Sequence, residues 1–373
     1  MNLAVTIALT LICLGIIVWL LYALYRNVFS RQAYWRKRRY ELVRHDGNPV
    51  ISPLPHKDWE LNGTFNPATI VDDEGKVHLL YRAIGGDGLS RVGHAKSDDG
   101  YTFDQRSQYP VFEPIPGYGL PEVNDMNGPK MYNPDFYLSG GGWGGCEDPR
   151  TVRIGDRVYM SYVAFEGWNS VRIGLTSITL KDFKKGRWNW RRPMLISPKG
   201  EVNKNWVIFP EKINGKYAIL HTIVPTIKIA YVDSLDGISK PIESPRAHGP
   251  QPGRKNFWDN RIRGAGPPPV KTTKGWLLFY HAQDMREPHK YKLGVMLLDL
   301  TDPTRIIYRS PMPILEPDMH YENDGKPGIV YASGAAIIGD NIMVYYGGGD
   351  RHVCIAQTPV DTLLAWLEKY GKV

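Results

Sequence analysis

The residues best suited to chemistry stand together in Gly144-Gly145-Cys146-Glu147-Asp148-Pro149-Arg150. Two carboxylates beside a guanidinium can trade protons, because neighbouring charges shift a carboxyl group's acidity. The glycines let a ligand approach the backbone closely. Pro149 has no N–H and disfavours helical geometry at Asp148, so that side chain is expected to be held rigidly. A structural turn would use the same residue types, and the stretch alone leaves both readings open. Other polar residues fall at the starts and ends of expected strands: Asn66, Arg82, Arg91, Lys204, Asn205, Arg261, Arg263, His281, Asp350 and His352. Carboxylates mixed with several Arg and Lys suit an anionic or sugar-phosphate ligand, since an Arg fork binds phosphate through two parallel charge-assisted hydrogen bonds. Solvated ion pairs lining a channel would also account for them. Cys13, Cys146 and Cys354 are far apart and lack any metal-ligand spacing, so neither a metal site nor a disulfide framework is expected.

Strands must position these residues. Beyond about residue 50 the 3.6-residue period is nearly absent, and Gly and Pro are spread throughout, which favours an all-β body. One pattern recurs: a short strand, a turn rich in Asp, Gly, Lys or Asn, and an aromatic-rich strand. Its copies run from Ala68 to Arg82, Arg150 to Tyr162, Val207 to Ile219, Pro269 to Tyr280 and Gly334 to Tyr346, each followed by a further apolar strand. Radially repeated small sheets close without long exposed edges, so the expected architecture is a five-bladed β-propeller. Two packed β-domains would give the same strand count. Thr358 to Tyr370 reads as a short helix with Leu363, Leu364 and Leu367 on one face.

The chain has 373 residues and a formal net charge of +8. Seven Lys/Arg and one acid precede Asp46, so the rest of the chain is nearly neutral and a nucleic-acid partner is not expected. Residues 3–25 carry no charge and suffice to cross a hydrocarbon core of about 30 Å. With Arg26, Arg31 and Arg36 to Arg39 behind them, they predict an uncleaved transmembrane helix with the large C-terminal part in the cytoplasm. A cleaved signal peptide would need a basic start and a small-residue cleavage site, and neither is present. The expected organisation is therefore a transmembrane helix over 1–26, a basic juxtamembrane linker over 27–47, and a propeller over 48–373, giving a single-pass membrane protein in contact with the bilayer through residues 3–25.

Five segments then resemble glycoside hydrolase family 130, the inverting β-mannoside phosphorylases and related β-mannosidases. They are Phe65-Asn66-Pro67-Ala68 leading to Leu80-Tyr81-Arg82-Ala83; Gly145 to Arg150; Lys204-Asn205-Trp206 to Lys212; Gly264-Ala265-Gly266 through Tyr280-His281; and Tyr345 to Asp350. The resemblance covers about residues 48 to 365. It implies a five-bladed propeller in which Asp148 is the catalytic acid, protonating the departing glycosidic oxygen through a mannose hydroxyl while inorganic phosphate attacks the anomeric carbon from the opposite face. The products would be α-mannose 1-phosphate and a shortened acceptor. Phosphate is already a competent nucleophile when held in line, so one acid suffices, whereas hydrolysis would need a second carboxylate to activate water.

The resemblance also assigns Asn66, Arg82, Arg91, Glu147, Arg150 and Asp350 to the sugar. To phosphate it assigns Lys204, Asn205, Arg261 or Arg263, Tyr280 and His281. Phosphate is a co-substrate, and no cofactor is implied. Two departures stand out: Thr222 follows His221 where many phosphorylases carry Arg, and a Lys usual before Gly-Ala-Gly is replaced within Asn260-Arg261-Ile262-Arg263. An insertion between Pro114 and Gly142, including Tyr118 and Tyr132, is expected to shape the acceptor side, its aromatics serving either sugar stacking or packing. The sequence thus points to phosphorolysis or reverse synthesis of β-mannosides. The alternatives are a β-mannosidase using water and a non-catalytic, membrane-tethered carbohydrate-binding propeller. The glycosidic linkage and the oligomeric state are left open.

Overall fold

The computed structural model describes residues 11–25, 39–121, 128–169, 171–238, 240–243 and 251–373. The chain divides into two units, residues 1–40 and residues 41–373. In the first unit, α1 (residues 11–25) is helical. The expected transmembrane helix is corrected here: among the described residues no helix is long and apolar enough to cross a membrane. At 1.5 Å per residue the described helical residues span about 22 Å, less than a hydrocarbon core of about 30 Å. The rest of the expected span, and most of the basic linker, lie outside the described residues. The fold class is therefore a mostly β chain with a short N-terminal helix. The bilayer contact and the single-pass, cytoplasm-facing localisation, which rested on the span, fall with it.

The second unit is a series of antiparallel strand groups. β1 (Val43–Arg44) opens it. The first group contains β2 (Gly63–Val71), β3 (Val77–Ile84), β4 (Leu89–Ser97) and β5 (Gln105–Arg106). A small parallel pair, β6 (Ile115–Pro116) and β7 (Gly119–Leu120), lies in the insertion. The second group is β8 (Gly144–Ile154), β9 (Arg157–Phe165), β10 (Val171–Thr179) and, after the short helix α2 (Leu180–Lys184), β11 (Met194–Leu195). A third comprises β12 (Val207–Ile208), β13 (Tyr217–Thr222) and β14 (Lys228–Val232). The fourth runs from β15 (Gln251–Pro252) and β16 (Arg261–Ala265) through β17 (Val270–Lys271), β18 (Trp276–Gln283) and β19 (Lys292–Leu298) to β20 (Ile306–Arg309). The fifth has β21 (Val330–Ile338), β22 (Asn341–Gly348) and β23 (His352–Pro359), and its outer position is filled from the other end of the chain by β1, with Val43 opposite Gln357. β4 and β8 pair in parallel at Leu89 and Gly144, so the first two groups form one continuous sheet. The C-terminal helix α3 (Val360–Tyr370) buries Leu363, Leu364 and Leu367, as its apolar spacing requires.

Apolar side chains fill the spaces between consecutive groups: Leu79 and Tyr81 against Tyr345 and Ile355, Leu80 and Val92 against Met160 and Tyr162, Ile173 against Ile208 and Ile219, and Phe209 and Leu220 against Leu278 and Met296. A shared polar device holds three of the outer edges. The hydroxyls of Tyr81, Tyr280 and Tyr346 donate to the fully buried carboxylates of Glu60, Asp259 and Glu322 at 2.9, 2.7 and 2.7 Å. Each carboxylate is also paired with an Arg on the outermost strand: Arg106 on β5, Arg309 on β20 and Arg44 on β1. In the first, second and fourth groups a glycine stands directly opposite the tyrosine of this position: Gly93 opposite Tyr81, Gly174 opposite Tyr162, and Gly294 opposite Tyr280. A Cβ at those glycines would come within 2.4, 2.3 and 2.7 Å of the tyrosine ring. The ring thus occupies the space that a side chain would need, an aromatic covering a cross-strand glycine.

The groups' first strands, with the residues flanking them, meet in the middle. Thr151 Oγ1 donates to Thr69 O at 3.2 Å, Arg150 Nε to Gly266 O at 2.9 Å, and Asn205 Nδ2 to Arg263 O at 3.0 Å. At this convergence the polar residues collect.

Candidate active site

Irregularity in the inner strands turns side chains towards the centre. The antiparallel register shifts between Phe65 and Ala68 on β2, between Glu147 and Arg150 on β8, between Ile262 and Gly264 on β16, and between Ala332 and Gly334 on β21. Such bulges leave residues out of the ladder and re-aim them. Asn66-Pro67 and Asp148-Pro149 occupy two of them, where a missing N–H is tolerated. Asn66 and Asp148 have φ of 49° and 48°, and Asn205 and Asp350 have 62° and 51°. Four of the five non-glycine residues with left-handed φ, among the described residues, line one cavity. Each such conformation costs on the order of 1–3 kcal/mol and persists only where surrounding structure enforces it.

Asp148 lies at this cavity and is 6% exposed. Its Oδ1 accepts from Asn66 Nδ2 at 2.8 Å and from Arg82 Nη1 at 3.4 Å. Burial pushes its acidity towards the neutral form, but Arg82, Arg150, Lys204 and the Asn66 amide outweigh that and hold the carboxyl below its ordinary value. Glu147 is fully buried and both its oxygens are engaged. Its Oε1 accepts from Arg82 Nη2 at 2.9 Å, and its Oε2 from Ser139 Oγ at 2.8 Å and Lys204 Nζ at 3.0 Å. Arg150 donates to the Asp148 carbonyl at 2.6 Å, to Asn205 Oδ1 at 3.2 Å and to Tyr331 OH at 3.1 Å, while Tyr331 OH itself donates to Asn205 Oδ1. Asp350 behaves oppositely to Asp148. Burial raises it, Asp148 and Glu147 add to the rise, and Lys326 and Arg82 offset it only in part.

The cavity holds about 400 Å³, the volume of a small-molecule site. Its wall carries Arg82, Lys204, Arg263 and Lys326 among the carboxylates. Among the described residues no carboxylate pairs with Arg263, whose guanidinium lies 4.8 Å from the Tyr291 ring centre. Lys326 Nζ is 3.8 Å from Asp350 Oδ2. Cationic groups with capacity to spare, facing a buried carboxylate, can hold an anion beside a proton donor.

Most of the sequence-derived residues converge here: Asn66, Arg82, Asp148, Lys204, Asn205, Arg263 and Asp350 line the cavity, with Glu147 and Arg150 bonded directly behind them. Four do not. Arg91 turns away to Asp87 and Glu113, at 2.7 and 3.2 Å, in a separate surface depression. Arg261 extends to Met285 Sδ at 3.7 Å. Tyr280 belongs to the Asp259 and Arg309 edge cluster described above. His281 is fully buried beneath Tyr331, the rings 4.1 Å apart and 9° from parallel. His352 bonds instead to Asp324 and Ser52.

With this geometry in view, comparison with known proteins is informative. A family model described as beta-1,4-mannooligosaccharide phosphorylase, glycoside hydrolase family 130, matches residues 42–369. The chain belongs to glycoside hydrolase family 130. It is 37% identical over 328 residues to a 1,2-beta-oligomannan phosphorylase of Thermoanaerobacter sp. (strain X514), a match covering 85% of this chain and 96% of that protein. A beta-1,2-mannobiose phosphorylase of the same organism is 33% identical over 333 residues, covering 85% and 97%. The solved beta-1,2-mannobiose phosphorylase from Listeria innocua, in complex with beta-1,2-mannobiose, superposes with a TM-score of 0.66 at 25% identity, covering 88% of this chain and 99% of that one.

Within this family 130 chain, sequence reasoning missed Ser139, Trp168, Tyr291, Lys326 and Tyr331, which all line the cavity. Tyr331 stands at the start of an inner strand, as the charged candidates do, and its place there was the signal that marks it. Lys326 and Ser139 come from loops whose approach to the centre depends on tertiary packing, and they carry no local signal.

Proposed function

We propose that this family 130 enzyme phosphorolyses β-1,2-linked mannosides, with Asp148 as the acid. A phosphate oxygen forms the new bond to the anomeric carbon from the face opposite the leaving group. The bond from that carbon to the acceptor oxygen breaks, and the Asp148 proton passes to that oxygen by way of a mannose hydroxyl, releasing α-mannose 1-phosphate and the acceptor. The same machinery runs in reverse as synthesis. Each step uses the carboxyl, the sugar and inorganic phosphate, so the chemistry requires no further cofactor.

The observation that carries this reading is the buried Asp148 carboxylate facing a cavity whose wall holds Lys204, Arg263 and Lys326. Holding a phosphate in line supplies the proximity that one-acid catalysis needs. Glu147 is occupied by three donors and is not free to activate water, which weighs against hydrolysis. The β-1,2 linkage is favoured over β-1,4 because the relatives at 37% and 33% identity are a 1,2-beta-oligomannan phosphorylase and a beta-1,2-mannobiose phosphorylase.

The test is to incubate β-1,2-mannobiose and β-1,4-mannobiose with the enzyme, with and without inorganic phosphate. Mannose 1-phosphate should form from the β-1,2 substrate only when phosphate is present, and Asp148→Asn should lower that rate by at least about 10²-fold. Free mannose without phosphate would instead mark a hydrolase and direct attention to Thr222. No turnover of either sugar would leave a binding protein.

A further inference from the structure

The insertion before the catalytic strand sends one residue into the charged centre. Residues 133–142 form a closed loop: Asn133 N donates to Gly141 O, Gly141 N to Tyr137 O, and Gly142 N to Ser139 O, at 2.9, 2.9 and 3.2 Å. The Asn133 side chain also accepts from the Asp135 and Phe136 amides at 3.1 and 3.0 Å. Gly140 has a φ of 62°, and a Cβ there would lie 3.0 Å from the Phe65 ring and 3.4 Å from Arg82 Nη2. The loop can therefore press close enough for Ser139 O to accept from Arg82 Nη2 at 2.7 Å. Ser139 is 7% exposed, and its hydroxyl donates to Glu147 Oε2 at 2.8 Å while accepting from Lys204 Nζ at 3.2 Å.

An ammonium group has three N–H donors. For Lys204, one goes to Glu147 Oε2 at 3.0 Å and one to Ser139 Oγ. The ammonium group is flanked as well, because Nζ lies 5.3 and 4.9 Å from the ring centres of Phe165 and Trp168. With two donors fixed and the ammonium flanked, the third has a defined direction, and Lys204 lines the cavity. A lysine without such partners is a point charge on a flexible stem. Glu147 alone would fix only one of its donors.

We propose that Ser139 is a positioning residue for phosphorolysis: it holds Lys204 against Glu147 so that the remaining ammonium N–H meets the phosphate co-substrate. The loop that carries it thereby joins the acceptor side of the cavity to the phosphate side. This inference rests on the reading above that Lys204 faces phosphate.

Initial rates of β-1,2-mannobiose phosphorolysis, with phosphate and sugar varied separately, test it in Ser139→Ala, Ser139→Thr and Lys204→Ala. Ser139→Ala should raise KM for phosphate by about tenfold, the effect of one lost hydrogen bond to a charged group. KM for the sugar should stay near wild type, the thermal midpoint should fall by only a few degrees as the buried Glu147 loses one of its donors, and Ser139→Thr, which keeps the hydroxyl, should recover most of the phosphate affinity. An unchanged phosphate KM in Ser139→Ala, or equal rises in both KM values, overturns the proposal in favour of a loop-packing role. Lys204→Ala separates the two readings. If it leaves phosphate KM unchanged, the assignment of Lys204 to phosphate fails; if it raises that KM and Ser139→Ala does not, Ser139 alone fails.

Discussion

Asn66 Nδ2 donates to Asp148 Oδ1 at 2.8 Å across two neighbouring strand groups, and both residues hold left-handed backbone immediately before a proline. The pair joins two bulges at the same level of the convergence, and it has a consequence for proton transfer. The amide, with Arg82, Arg150 and Lys204, favours the ionised carboxylate strongly enough to overcome its burial. An ionised Asp148 cannot donate.

Anion binding among these cations should therefore return the proton. A negative charge beside Lys204 and Arg263 offsets their pull, the proton affinity of Asp148 rises, and protons are taken up on binding; by linkage the anion binds more tightly as pH falls. Sulfate tests this cleanly between pH 5 and 6, where it does not itself titrate. Calorimetric titration in two buffers of different ionisation enthalpy should reveal uptake in the wild type that is lost in Asp148→Asn. Equal uptake in both proteins would place the titrating group elsewhere, with Asp350 as the first candidate.

The Tyr280 hydroxyl is expected to matter for stability and not for turnover. It donates to the fully buried Asp259 at 2.7 Å, and burial pushes its own pKa up to about 12. In Tyr280→Phe the buried carboxylate loses one donor but keeps Arg254 and Arg309, at a cost of about 1–2 kcal/mol. Denaturant unfolding should show that loss while KM for phosphate stays within about twofold of wild type. A tenfold rise in phosphate KM would restore the tyrosine to the site.

The same residue shows where reading the sequence succeeds and where it stops. Asn66 and Asp148 were legible as site residues because they stand at strand ends within the family motifs, and Pro149 marked Asp148 as rigidly held. The repeated aromatic strands were legible because each group builds the same hairpin. Tyr280 misled because it combines a position in a family motif with a repeated structural role, and only its equivalence to Tyr81 and Tyr346 reveals the latter. Arg91 and Arg263 are alike in sequence, yet one is drawn away by Asp87 and Glu113 and the other is not. The helical residues 11–25 read as part of a membrane span because an uncharged run followed by basic residues is the pattern of one. No spacing rule marks Ser139, whose place depends on a loop closing over another strand group.

β1 closes the second unit from the far end of the chain, so Arg44 should carry an effect out of proportion to a two-residue strand. Its guanidinium pairs with the fully buried Glu322 at 2.8 Å and donates to the Glu316 carbonyl. Arg44→Ala leaves Glu322 with the Tyr346 hydroxyl but without its countercharge, which costs about 3–5 kcal/mol for a buried pair. Adding Glu322→Gln should recover part of that loss in urea unfolding. A single-variant loss below about 1 kcal/mol would mean that β1 is not needed to complete the fifth group.

Three buried histidines set an acid limit on stability. Burial drives His94 and His281 down to about 3 and His221 to about 4, helped by Lys96 and His78 at His94, Arg150 at His281 and Lys228 at His221. In the unfolded chain each takes up a proton near its ordinary value of about 6.5. Between that value and the folded one the unfolded state binds more protons, so stability is fully present above about pH 6.5 and falls as pH is lowered towards 4. The slope approaches about 1.4 kcal/mol per pH unit for each histidine. Depressed carboxylates such as Asp99, at about 2, act only at lower pH. Urea unfolding at pH 7, 6 and 5 should show the decline, to which His78 and His352, also lowered by burial, add; His281→Phe, which keeps a ring stacked on Tyr331, should reduce the slope by about 1.4 kcal/mol per pH unit towards the acid end. A wild-type slope in that variant would show that His281 is not among the groups that protonate on unfolding.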